Sequence, residues 1–380
     1  MTEGAPRLTK RERRSLKSPE RNEVLQAMAQ EFQQKLQLGA LEILAENRNE
    51  AKNKFNIDSS KDITSLVHSG VIILNERGEL VGKAGRFIDA DKRINGASAT
   101  KVVNSLFMLM TLYEQGYIDL NDLDKPQLPS KSRAKCKEEG IENEYNEKGI
   151  SVREYLVRVL GYSDNDQLGA LRELYVSHYG GVSNKTFNAM DALSMRINQA
   201  LNITAEKDKF IPRGSTKANE KDSLLGNTAP LKTILEGFRY SVELCKSKEG
   251  YLPKEFREVF LSSLKILPEE IVSIGSNKSL RLLHTFKRQN PIKGIREKSG
   301  WFADQGDSIN TINSFSEIQI DGKIYYIGWY VEAPEVIKKS HIRFPVLSEY
   351  EREYQQWKFM KNAGEVIKAI SNRQEFKLFT

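Results

Sequence analysis

The amino-acid sequence predicts an α+β fold: one antiparallel sheet flanked by N- and C-terminal helices, with an all-α lobe inserted between its strands. Three observations lead there. The β-branched run Gly70-Val71-Ile72-Ile73-Leu74-Asn75 turns at Glu76-Arg77-Gly78 and returns through Glu79-Leu80-Val81-Gly82-Lys83, which reads as a hairpin. Strand texture comes back only late in the chain, from Gly294 to Phe302 and from Ser316 to Val331. The chain between them has helical periodicity, capping residues and polar breaks. Strands at both ends with helices between them place the two ends in one sheet.

Taken in order, residues 1–22 hold seven Lys/Arg against three Glu and are read as a basic, disordered tail. Residues 23–64 make an N-terminal helical segment, in which Leu25, Met28, Phe32, Leu36 and Leu38 recur at a rough helical period. After the hairpin, Val102, Val103, Leu106, Phe107, Met108, Leu109, Met110 and Leu112 are apolar nearly all round, so this helix is expected to be buried. Gly116 suits its C′ position. Leu120 to Asn143 is polar, punctuated by Pro126 and Pro129. Ser151-Val152-Arg153-Glu154 is a capping box opening a helix with Tyr155, Leu156, Val159 and Leu160 on its core face and Gly161 at its end.

Tyr162-Ser163-Asp164-Asn165 is a polar turn, followed by helices from Asp166 to Tyr179 and, beyond Gly180-Gly181, to about Leu201. Asn202 to Ala229 is a loop long enough to suggest a task of its own. Pro230 is placed at N1 of the next helix, which runs to Cys245. Further helices are expected from about Pro253 to Leu264 and near Arg281 to Phe286. Asp321-Gly322 is a type I′ turn, after which Tyr325, Ile327, Trp329 and Val331 alternate with Ile324, Tyr326 and Tyr330. An amphipathic helix from about Ser348 to Ile370 closes the chain. The folded domain is drawn at 65–372, its helical lobe at about 98–290.

Composition narrows the function classes. A chain of 380 residues with 39% hydrophobic and 9% aromatic content can bury a sizeable core. The net charge of +7 gathers largely in the first 22 residues, with no basic face interleaved with aromatics, so no nucleic-acid partner is expected. Cys136 and Cys245 give neither a disulfide framework nor a zinc pattern, and His68, His178, His284 and His341 lack ligand spacing. No metal and no cofactor is expected. No apolar run reaches the ~18–20 residues that span a bilayer, and no signal peptide is visible. The expectation is a monomer without a transmembrane segment, cytoplasmic or exported by a leaderless route.

Chemistry concentrates in Asn95-Gly96-Ala97-Ser98-Ala99-Thr100-Lys101. Ser98 sits where the buried helix begins, near its positive dipole end and its free N–H groups. Lys101 follows one turn later on the same face. Desolvated by an apolar wall, a lysine loses part of its preference for charge and can take the serine proton. Ser132-Arg133-Ala134-Lys135 repeats the spacing in a polar segment with no helix core behind it, and reads as a solvated loop.

Ser98-x-x-Lys101, Ser163-Asp164-Asn165 and Lys298-Ser299-Gly300 follow one another in the order and context of the S-x-x-K, S-D-N and K-T/S-G elements of the penicillin-recognising serine hydrolases. The chain resembles the class A β-lactamases most closely, over roughly residues 65–370. Gly116-Tyr117-Ile118-Asp119-Leu120 and Asn227-Thr228-Ala229-Pro230 echo the same family. The resemblance implies a β-lactamase/transpeptidase-like fold and an acyl-enzyme mechanism on a small-molecule or peptide substrate bearing a carboxylate. Ser98 is then the nucleophile, and Lys101 the general base or the partner that orients it. Ser163 relays a proton to the leaving nitrogen, and Lys298 supplies positive potential. Asn165 holds the substrate amide, Ser299 a carboxylate, and Gly300 closes the triplet before Trp301, whose N–H joins that of Ser98 in the oxyanion hole.

The sequence departs from the family in the 135-residue separation of its second and third motifs, longer than usual and implying an insertion in the helical lobe, and in a second respect that bears on turnover. Class A β-lactamases carry Glu-x-x-Leu-Asn in the loop before the Thr-x-Pro-like stretch, and its glutamate activates the deacylating water. Between Asn202 and Pro230 the only glutamates are Glu206 and Glu220, and neither precedes Leu-Asn. Either is a candidate deacylation base. Without one, the chain would behave as a penicillin-binding-protein-like peptidase, amidase or esterase with slow deacylation. The remaining alternative is a catalytically idle relative that uses the fold for binding.

Overall fold

The computed structural model of the chain describes residues 22–34, 36–37, 68–86, 88–126, 128, 149–161, 163, 167–179, 185–216, 227–247, 251–265, 295–302, 311–320 and 322–332. Two early strands, β1 (His68–Asn75) and β2 (Leu80–Arg86), join β5 (Arg296–Phe302), β6 (Thr311–Ile320) and β7 (Lys323–Glu332) in one sheet. Its order is β2-β1-β7-β6-β5 and every pairing is antiparallel. The expected α+β architecture is present: both ends of the described chain meet in the centre, where β1 lies beside β7.

Between β2 and β5 the chain is mainly helical. It contains α2 (Lys101–Glu114), α3 (Val152–Leu156), α4 (Leu168–Tyr179), α5 (Lys185–Ala200), α6 (Leu231–Lys246) and α7 (Lys254–Ser263). The helix before the sheet, α1, covers 22–34 and 36–37.

Both faces of the sheet are covered, so the alternation read in β7 points into two separate apolar layers. On one face α1 sets Phe32 against Trp329, ring centroids 6.5 Å apart, while Gln33 and Gln37 hydrogen-bond the buried Ser69 hydroxyl. On the other, α6 lays Phe238 edge-on to Tyr326 at 6.3 Å. A Cβ at Gly328 would lie 3.4 Å from Leu235 on the same side. Leu25, Phe32 and Leu36 are buried as the helical period required, whereas Met28 is only half-buried.

The buried central helix is α2. Leu106, Leu109 and Leu112 are fully buried among α4, α5 and α6, each such side chain contributing about 1.5–3 kcal/mol relative to exposure. Gly116 takes φ +73°, and Tyr117 N–H reaches Leu112 O at 2.9 Å, which ends the helix as a C′ glycine should.

Several expectations shift. Ser98 lies in a 3₁₀ turn, Ala97–Thr100, that runs into α2 rather than in the α-helix itself. Ser151 caps α3 by accepting Glu154 N–H at 3.1 Å. The Glu154 carboxylate pairs with Arg158 at 2.9 Å, and from Val157 to Gly161 the helix widens to a π turn. Pro230 is the N-cap of α6 rather than N1, its ψ of 147° still extended because it closes a short strand.

That strand, β4 (Thr228–Pro230), pairs with β3 (Arg93–Asn95) in a small second sheet that no periodicity announced. It ties the end of the long loop to the residues just before Ser98. β6 begins five residues earlier than its sequence texture suggested. The expected helices near 281–286 and 348–370, and Asp321 of the last hairpin turn, lie outside the described residues. Among the described residues no helix is long and apolar enough to cross a membrane, and no group of His, Cys, Asp and Glu could hold a metal ion.

Candidate active site

Three segments distant in sequence meet at the start of α2. The first is the Ser98 turn. Ala97 is left-handed, with φ 44°, and its N–H donates to the Asn95 side-chain oxygen at 2.8 Å. Thr100 Oγ1 closes the turn by donating to Ala97 O at 2.8 Å. Ser98 itself is half-buried, while Lys101 is only 3% exposed.

The second segment is the turn after α3. The Lys101 Nζ donates to Ser163 O at 2.9 Å and approaches Ser163 Oγ at 3.5 Å. Ser163 has φ 59°, a left-handed conformation that costs a non-glycine residue about 1–2 kcal/mol. The buried π turn places it, and α3 is fixed to α2 by a 2.9 Å hydrogen bond between Tyr155 OH and Ser105 Oγ. Burial raises the Tyr155 phenol far above its usual range, so this bond joins two neutral groups.

The third segment is β5. Lys298, fully buried, donates from Nζ to Ser163 Oγ at 2.6 Å. The two lysines therefore converge on one serine, Lys101 from α2 and Lys298 from β5. Two residues along, Gly300 passes over the Ser98 turn. A Cβ placed there would lie 2.8 Å from Ser98 N, 2.9 Å from Ala99 N and 2.9 Å from Asn313 Oδ1. Only a residue without a side chain allows the strand this near.

The remaining candidates are placed as follows. Ser299 alternates to the other face of β5, 1% exposed, where its hydroxyl meets Ser314 Oγ at 3.1 Å and Glu297 Oε1 at 3.4 Å. It is not brought to the Lys101–Ser163–Lys298 cluster. Trp301 follows Gly300 in β5. Asn165 and Glu220 lie outside the described residues. Glu206 sits in a 3₁₀ turn, Glu206–Asp208, with its side chain 69% exposed and paired to Lys209 at 2.5 Å.

Sequence reasoning missed four asparagine contributions. Asn95 holds Ala97, as above, and Asn313 Nδ2 donates to Asn95 O at 3.4 Å. Asn104 on α2 donates to Asn227 Oδ1 at 3.0 Å, which also receives Arg213 N–H at 3.0 Å. Asn227 O in turn accepts Gly96 N–H at 3.0 Å, so the loop before α6 is fastened to the Ser98 turn. The one available signal was Asn95-Gly96, an Asx residue entering a turn.

No protein-family model matches the chain, and no curated protein matches it. Among solved structures it is similar to a representative of class A β-lactamase from Bacteroides cellulosilyticus, at 13% identity over 89% of this chain and 99% of that one, with a TM-score of 0.46. It is also similar to a β-lactamase from Chitinophaga pinensis, at 16% identity over 80% of this chain and 94% of that one, with a TM-score of 0.45. A third is L2 complexed with relebactam, at 15% identity over 81% and 92% and a TM-score of 0.46.

Proposed function

We propose that this chain is an acyl-transferring serine hydrolase of β-lactamase-like type, acting on an amide or β-lactam. One observation supports it above the rest. Lys101, Ser163 and Lys298, separated by 62 and 135 residues, are joined through a single serine hydroxyl beside the Ser98 turn. A binding module has no evident need for two buried lysines on one hydroxyl.

In this reading Ser98 Oγ attacks the carbonyl carbon while its proton passes to Lys101, as base or through the partner Lys101 orients. The developing oxyanion is held by the N–H groups of Ser98 and Trp301. The C–N bond breaks, the leaving nitrogen takes its proton through Ser163, and Lys298 keeps that hydroxyl oriented. Asn165 holds the substrate amide. Water then cleaves the acyl-serine ester.

That last step favours the slower variant of the reading, a penicillin-binding-protein-like enzyme whose acyl-enzyme persists. The reason is the place of Glu206, exposed and tied to Lys209. Fast deacylation needs a base within hydrogen-bond reach of a water on the ester carbonyl.

The test is intact-protein mass spectrometry after incubation with a penicillin or a fluorophosphonate. A single adduct is expected on Ser98 and none on Ser98→Ala. Lys101→Ala is expected to acylate about 10²–10⁴-fold more slowly, the range of a positioned acid–base group. Undiminished labelling of Ser98→Ala, or labelling at Ser132, sinks the assignment.

A further inference from the structure

Asn313 belongs to none of the three motifs, yet it reaches into the same place. It sits opposite Gly300 in the β5–β6 register and is fully buried. Its Nδ2 crosses to Asn95 O at 3.4 Å, while its Oδ1, also buried, has no hydrogen-bond partner among the described residues. The reach is open because Gly300 lacks a side chain: the same point in space lies 2.9 Å from Asn313 Oδ1 and 2.8 Å from Ser98 N. Asn95, 5% exposed, uses its backbone oxygen toward Asn313 and its side-chain oxygen toward Ala97 N–H at 2.8 Å. Two asparagines thus run in series from β6, the strand paired with the one that carries Lys298, to the turn that carries Ser98.

We infer that Asn95 and Asn313 are positioning residues that tie the left-handed Ala97 turn to β6, beside Gly300 of β5, so that Ser98 N–H keeps its aim at the oxyanion. The inference rests on the serine-hydrolase reading for its kinetic consequence, though not for the hydrogen bonds. Two features favour positioning over packing alone. A left-handed alanine persists only where its surroundings over-determine it, and the Asn95 carboxamide is the side chain that grips its N–H. A buried, unpartnered carboxamide oxygen is unfavourable, so Asn313 is a poor choice for filling space. An apolar residue would fill the position without that cost.

The test is a time course of Ser98 labelling by a fluorophosphonate on the purified chain and on Asn95→Ala, Asn95→Asp and Asn313→Ala, each checked for a cooperative melt. The saturated labelling rate is expected to fall about tenfold to hundredfold in Asn95→Ala and Asn313→Ala, the scale of a small misplacement of reacting groups. The half-saturating concentration is expected to change far less. Asn95→Asp keeps an acceptor for Ala97 N–H and is expected to recover most of the rate. Wild-type rates in both alanine variants overturn the inference, as does Asn95→Asp labelling as slowly as Asn95→Ala. Where Asn95→Ala does not fold, Asn313→Ala at the wild-type rate overturns it alone. Failure of the unmutated chain to label overturns the hydrolase reading instead. Amide exchange then decides the placement: Ala97 N–H is expected to lose protection in Asn95→Ala and keep it in Asn95→Asp, and equal protection in both overturns it.

Discussion

Replacing Gly300 by alanine gives the sharpest reading of how the site is built. The added Cβ would sit 2.8 and 2.9 Å from the backbone nitrogens of Ser98 and Ala99, and 2.9 Å from Asn313 Oδ1. Two of these three are main-chain atoms in a turn already held by Asn95 and Thr100, so neither can swing aside. Restoring an ordinary carbon–nitrogen contact of about 3.5 Å means moving strand and turn apart by more than half an ångström. Overpacking of this kind typically costs about 1–3 kcal/mol of stability. On the proposed mechanism the acylation rate should fall further, toward a hundredfold, because the displaced turn carries Ser98. Gly322→Ala is the control. It has open space but a φ of +72°, so it should lose about 1–2 kcal/mol with no change in labelling. Denaturant melts and labelling time courses measure the two effects separately. Gly300→Ala with wild-type stability and rate would refute the close approach.

Two further outcomes follow from the same geometry. Glu206→Gln should leave the lifetime of the acyl-enzyme unchanged, read as persistence of the mass adduct; a trapped adduct in this variant alone would make Glu206 the base. Burial pushes the Cys245 thiol from its ordinary value of 9.0 up to about 12. A pKa raised by folding gives stability that is full below the unfolded value and lost as pH climbs toward the folded one. Melts between about pH 8 and 11 should therefore show a larger loss for the unmutated chain than for Cys245→Ala; parallel losses would mean the thiol is not buried as described.

The catalytic candidates were legible because their chemistry lies in residue type and order. Ser98, Lys101, Ser163 and Lys298 could be singled out before any contact was known. Their supports were not legible, for physical reasons. Asn313 acquires its role from strand register, which sets it opposite Gly300, and register is a property of pairing rather than of either segment. The first half of β6 hid because Thr311, Asn313, Ser314 and Ser316 are polar and buried, their period-2 signal absent from hydropathy. Further along, Glu317 is also buried, held by Arg296 at 2.6 Å and Lys246 at 2.7 Å. The π turn after α3 left no trace either, since Val157 and Val159 suit any helix.

The placement of backbone strain joins these strands of argument. Among the described residues three non-glycines have positive φ: Ala97, Ser163 and Asn202. Asn202 ends α5, where Ile203 N–H reaches Asn198 O at 2.8 Å, and asparagine tolerates that conformation. Ala97 and Ser163 have no such excuse in their chemistry: one lies a residue before Ser98, and the other is the residue on which Lys101 and Lys298 converge. Each costs about 1–2 kcal/mol, an amount a single buried side chain of α2 can offset. What keeps them from relaxing is local and specific: Asn95 on the Ala97 N–H, Lys101 on the Ser163 carbonyl, Lys298 on its hydroxyl. Remove a grip and the strain has somewhere to go. The residues that hold the strained pair are thus the ones through which substitutions outside the motifs would reach the chemistry.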